Sequence, residues 1–166
     1  MYFGTMLKWL TRDVQFSLRA MTQRGPRPSP AQLVSLVVEK MTATVIVVDD
    51  DASIRRALRW QLQILGFGVL DFESAEEFLA SEPPTGDACL LLDVYMPGMT
   101  GIELCRSLAA TGRHLPTILI SGRDDQQTRQ MMRKAKPIAS LLKPFDEKKL
   151  LSAIRKALPR GSDLPK

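Results

Sequence analysis

Five short apolar runs recur from Thr44 onward, and each is followed by a stretch whose apolar residues fall at helical spacing. The runs are TVIVV (44–48), about Gly68–Phe72, ACLLL (88–92), Pro116–Ile120 and about Ile138–Leu142. Apolarity that is continuous rather than alternating marks strands covered on both faces, and an intervening helix returns each strand parallel to the one before. These two constraints select a doubly wound α/β fold, a five-stranded parallel sheet with helices on both faces.

The connecting segments carry their own signals. Ile54, Leu58, Leu62 and Leu65 share one face of a first helix that Gly66 ends. Ser74 with Glu77 predicts a capping box for a helix that stops before Pro83-Pro84, and Thr100 with Glu103 predicts another for a helix from Gly101 to about Thr111. A polar helix starts near Asp124 or Asp125 and ends near Ala135, with only Met131, Met132 and Ala135 as a thin apolar face. The last runs from Asp146 to Leu158.

In such sheets ligands bind beyond the carboxyl ends of the strands. The first strand ends in Asp49-Asp50-Asp51, the third in Asp93, the fourth in Ser121-Gly122 and the fifth in Lys143-Pro144. Carboxylates converging from neighbouring strands repel, so the cluster implies a bound cation or a raised pKa. Magnesium suits it, because that ion takes oxygen ligands and pairs one or two carboxylates with phosphate oxygens. Lys143 and Ser121 supply an ammonium and a hydroxyl for phosphate. Each element alone is ordinary: an acidic run is more often a helix cap, and Lys-Pro or Ser-Gly more often a turn or loop. Their placement at four strand ends points to phosphoryl transfer onto a carboxylate.

The blocks VVDDD (47–51), LLLDVYMPGMTGIEL (90–104), ILISG (118–122) and LLKPF (141–145) resemble, in order, the signatures of two-component response-regulator receivers, most nearly the FixJ type. The resemblance covers about Thr44–Leu158 and implies a flavodoxin- or CheY-like sheet of order 2-1-3-4-5. It makes Asp93 the phosphoacceptor, Asp49, Asp50 and Asp93 the magnesium ligands together with the backbone carbonyl of Tyr95, and Ser121, Gly122 and Lys143 the phosphoryl-binding and switch residues. It implies a cis bond before Pro144 and leaves Asp51 as a helix cap. The expected donor is a sensor histidine kinase or histidine phosphotransfer protein in a phosphorelay, and the chain is not an enzyme beyond its own phosphorylation and dephosphorylation. Output would pass by contact with an unknown downstream protein, with room for a phosphorylation-dependent dimer.

Two other classes compete with this reading. A haloacid-dehalogenase-type phosphohydrolase needs a second acid two residues after its nucleophile, and that position is Tyr95. A receiver-like binding module or phosphate sink without conventional switching stays open, because receivers carry an aromatic residue three positions before the lysine and this chain has Ser140. In the family that ring moves inward as the hydroxyl of the fourth strand approaches the phosphoryl group.

The 166 residues suffice for one domain and an appendage. Of the formal charge of +5, most lies in residues 1–40, which hold six basic residues against two acidic. There Phe3, Leu7, Leu10, Val14, Leu18 and Met21 have helical spacing, and RGPRPSP (24–30) reads as a linker. Two readings stand for this leader: a helix for a partner or membrane surface, or residues upstream of a natural start at Met41. The expected division is a leader at 1–40, a receiver at 41–159 and a tail at 160–166. The stretch after the last helix, PRGSDLPK (159–166), is too short to fold, so a stand-alone receiver with no nucleic-acid partner is expected. Cys89 and Cys105 are read as buried thiols in a reducing cytoplasm. No window carries the roughly 18 uninterrupted apolar residues of a spanning helix, and no membrane partner is expected.

Overall fold

The computed structural model describes residues 43–158 apart from Pro83 and Thr85. The expected leader helix and proline-rich linker, Met41 and the tail all lie outside the described residues. The elements are β1 (Thr44–Val48), α1 (Ala52–Ile64), β2 (Gly68–Phe72), α2 (Ala75–Ala80), β3 (Ala88–Asp93), α3 (Gly101–Ala110), β4 (Thr117–Ser121), α4 (Gln126–Lys134), β5 (Ala139–Leu142) and α5 (Glu147–Ala157). All pairings are parallel, in the order β2-β1-β3-β4-β5.

Alternate residues of each central strand feed two separate cores. Val45, Val47, Cys89, Leu91, Ile118 and Ile120 meet Leu58 and Leu62 of α1 and Leu150 and Ile154 of α5. Ile46, Val48, Leu90, Leu92 and Leu119 meet Phe78 of α2, Leu104 of α3 and Met132 of α4. The central strands are therefore covered on both faces, each fully buried aliphatic side chain contributing about 1.5–3 kcal/mol.

Several local expectations shift for physical reasons. β2 is not apolar throughout: it is an edge strand, only half-buried, and its Asp71 forms ion pairs with Arg55 and Arg59 of α1. β4 begins at Thr117, because Pro116 has no N–H for the ladder, although its carbonyl accepts from Leu90 at 2.9 Å. The capping box at Thr100–Glu103 is complete. That at Ser74–Glu77 is not, because the Glu77 carboxylate takes the N–H of Glu73 at 2.8 Å instead of that of Ser74. Asp51 caps α1, and its bonds from Ser53 and Ile54 hold its pKa below the ordinary value.

Candidate phosphoryl-acceptor site

The strand order sets β1 beside β3, so the acids that follow the two strands become neighbours at the carboxyl edge. β5 lies two strands from β3, a separation of about 10 Å. A lysine stem is long enough to cross it. The Lys143 ammonium donates to Asp49 Oδ2 and to Asp93 Oδ1, each at 2.6 Å. The remaining carboxylate oxygens are held by backbone: Asp49 Oδ1 accepts from Asp51 N–H at 3.0 Å, and Asp93 Oδ2 from Tyr95 N–H at 2.7 Å. The Lys143–Pro144 bond is cis, and Lys143 N–H donates to Ser121 carbonyl at 2.8 Å, which ties the lysine to the end of β4.

The three acids differ in access. The Asp49 side chain is 1% exposed and the Asp93 side chain 7%, whereas Asp50 is exposed, its backbone carbonyl accepting from the Arg55 guanidinium at 3.0 Å while its carboxylate pairs with neither Lys143 nor Arg55. Burial pushes the Asp93 carboxyl up, and Asp49 adds to this, against the downward pull of Lys143 and the Tyr95 amide. Burial pulls Lys143 down, but its bonds to Asp49 and Asp93 outweigh this and hold it above the ordinary lysine value.

The Asp93 shift gives a stability prediction with a definite sign. A carboxyl whose folded pKa is raised contributes stability at low pH that is lost as pH rises through the folded pKa. Asp93→Asn removes that loss. In magnesium-free buffer the variant is expected to melt above wild type at neutral pH, with the gap closing under acid conditions. Melting below wild type by a pH-independent margin would contradict it.

Two expected site residues are placed differently from the acids. The Ser121 hydroxyl is fully buried, accepts from Arg123 N–H at 3.0 Å and lies 3.1 Å from Arg123 carbonyl, so it is turned toward the following loop. Gly122 is exposed, and a Cβ there would meet nothing within 4 Å. Ser140 is exposed on β5. Cys89 is buried, and burial pushes its thiol up to about 12. Cys105 is only half-buried, short of the expected burial.

Sequence reasoning missed Thr128 and Arg123. Thr128 is fully buried on α4 with its hydroxyl 2.6 Å from that of Tyr95, and the Arg123 guanidinium lies 4.3 Å from the centroid of the Tyr95 ring. The available signal was Asp125-x-x-Thr128, a cap and its partner at the start of a helix.

Among the described residues no three Asp, Glu, His or Cys side chains are gathered closely enough to hold a metal ion. The donor chemistry nevertheless fits magnesium. Asp49 and Asp93 each give one oxygen to Lys143 and one to an amide, and a carboxylate oxygen has two lone pairs, so acceptor capacity remains. Three carboxylates also outnumber the single ammonium that touches two of them.

A family model described as the response regulator receiver domain matches residues 45–155. The response regulator protein TmoT of Ectopseudomonas mendocina is 38% identical over 132 residues, covering 80% of this chain and 60% of the relative. The transcriptional regulatory protein FixJ of Azorhizobium caulinodans is 34% identical over 119 residues, 72% of this chain and 56% of the relative. The chain thus spans less than two thirds of the length of these relatives. Among solved structures, FixJ-N is similar with a TM-score of 0.65 at 36% identity, covering 69% of this chain and 92% of that one. The response regulator StyR is similar with a TM-score of 0.64 at 44% identity, covering 70% of this chain and 59% of that one.

Proposed function

The chain belongs to the response regulator receiver family, and from this we propose that it accepts a phosphoryl group on Asp93 from a sensor histidine kinase or histidine phosphotransfer protein. The observation that carries the proposal is the Lys143 ammonium 2.6 Å from both Asp49 and Asp93 at the carboxyl edge of a parallel sheet. In the proposed step an Asp93 oxygen attacks phosphorus, a P–O bond forms as the P–N bond to the donor imidazole breaks, and the imidazole leaves with the electron pair. Lys143 orients the carboxylate and neutralises oxygen charge on the group in flight. The Tyr95 amide keeps the second Asp93 oxygen aimed, and burial of Asp49 and Asp93 limits the water that competes with this chemistry. Bound at Asp49, Asp50, Asp93 and the Tyr95 carbonyl, magnesium would supply the remaining positive charge.

Output by protein–protein contact, a phosphorylation-dependent dimer and a cytoplasmic setting belong to the same proposal. The free thiols Cys89 and Cys105 suit a reducing compartment. A receiver-like binding module that is never phosphorylated draws support from the Ser121 hydroxyl, which is engaged with Arg123, and from the exposed Ser140. One experiment separates the readings. Incubated with a small phosphodonor and magnesium, the full chain is expected to gain the mass of one acid-labile phosphoryl group, and chelation should suppress the gain. No uptake under either condition would favour the binding module.

A further inference from the structure

Tyr95 follows Asp93 by two residues, whereas Thr128 stands in the first turn of α4. Their hydroxyl oxygens are 2.6 Å apart, and Thr128 Oγ1 is also 2.9 Å from Asp125 Oδ2. A threonine hydroxyl has one hydrogen, and an ionised carboxylate can only accept. The Thr128 N–H bond holds Asp125 below the ordinary carboxylate range, so this carboxylate is charged. The Thr128 hydrogen therefore goes to Asp125, and Tyr95 donates to Thr128. Asp125 is in turn the N-cap of α4, accepting Thr128 N–H at 2.8 Å.

At its other end Tyr95 donates its own N–H to Asp93 Oδ2, while Arg123 covers the ring. A single residue thus joins the Asp93 carboxylate to the cap of α4. The helix is thinly anchored otherwise, since its only fully buried residues are Thr128 and Met132, with Met131 and Ala135 half-buried against the same core. Ser140, exposed on β5, offers no ring to couple the two.

We propose that Thr128 is a positioning residue: it holds Tyr95 against Asp93, and through it α4 responds to the state of the Asp93 carboxylate. The input side rests on the phosphoacceptor reading, but the linkage itself does not. Bonds to a charged acceptor are roughly twice as strong as bonds to a neutral one. Converting Asp93 from carboxylate to acyl phosphate redistributes the charge that Tyr95 N–H faces, and the ring transmits the adjustment to the cap.

The linkage is tested first on the unmodified full chain by amide hydrogen exchange and by the nuclear magnetic resonance position of the Tyr95 amide. Thr128→Val keeps the shape and removes the hydroxyl. It is expected to move the Tyr95 amide resonance and to speed exchange in the first turn of α4 about five- to tenfold, the scale of one net hydrogen bond. Tyr95→Phe should speed the same α4 amides to a smaller extent, because Thr128 keeps its bond to Asp125, the double variant should add nothing to Thr128→Val, and Thr128→Ser should restore both signals. A Thr128 that only stabilises its own helix would leave the Tyr95 amide unmoved and α4 indifferent to Tyr95→Phe, which would overturn the proposal. With a small phosphodonor and magnesium, wild-type α4 exchange should then change on labelling and that of Tyr95→Phe should not. An equal change in labelled Tyr95→Phe would also overturn it. Failure of wild type to label would count against Asp93 as acceptor alone, because the first measurements use no donor.

Discussion

Asp93→Asn is expected to take up no phosphoryl group under conditions that label wild type fully, as read on a phosphate-affinity gel. The amide has no anionic oxygen to form the P–O bond, and the two other acids of the cluster are poor substitutes for different reasons. Asp49 is almost completely covered, with its two oxygens held by Asp51 N–H and Lys143. Asp50 is exposed and is not paired with the Lys143 ammonium, which is committed to Asp49 and Asp93. Lys143→Ala should retain the nucleophile but lose the charge that orients it, slowing uptake on the order of 10²-fold, as removal of one preorganised donor typically does. Asp50→Ala should raise the magnesium concentration needed while leaving Asp93 the labelled residue. Equal labelling of Asp93→Asn and wild type would sink the assignment.

How far the sequence foretold this arrangement depends on how local each cause is. Strands such as TVIVV and ACLLL were legible because burial on both faces requires runs of apolar residues, and the caps Asp51 and Thr100 because a cap acts within three residues of itself. The meeting of Asp49, Asp93 and Lys143 was legible indirectly, since parallel strands all deliver their last residues to one edge. What could not be read is where side chains turn after they arrive. Ser121 stands at the edge yet bonds to Arg123, and Glu77 reaches past Ser74 to Glu73, choices set by rotamers and by neighbours distant in sequence. Thr128 was hidden for the same reason. On a helix of low apolarity it looked like one more polar residue, and only tertiary packing placed it beneath Tyr95.

The second large effect is expected at Gly101, which opens α3 immediately beyond the site. Its N–H donates to the Val94 carbonyl at 3.1 Å, drawing the start of the helix onto the end of β3. A Cβ at this position would lie 2.1 Å from the Asp93 carbonyl oxygen and 3.0 Å from Leu92 Cγ. The first neighbour is backbone and cannot rotate away, so helix and strand would have to separate by about 1 Å or more to reach ordinary contact. Alanine is favoured over glycine in a helix by up to about 1 kcal/mol, whereas forcing atoms into a filled space costs about 1–3 kcal/mol and sometimes more. The clash wins, and the displaced strand end carries Asp93 with it. Gly101→Ala should therefore melt roughly 4–10 °C below wild type and take up phosphoryl groups more slowly, two losses with one cause. Gly122→Ala is the matched control, since nothing lies within 4 Å of a Cβ there and Gly122 is not among the glycines with positive φ. It should melt with wild type. Should Gly101→Ala prove as stable as Gly122→Ala, the close approach of α3 to Asp93 would not be what sets the acceptor in place.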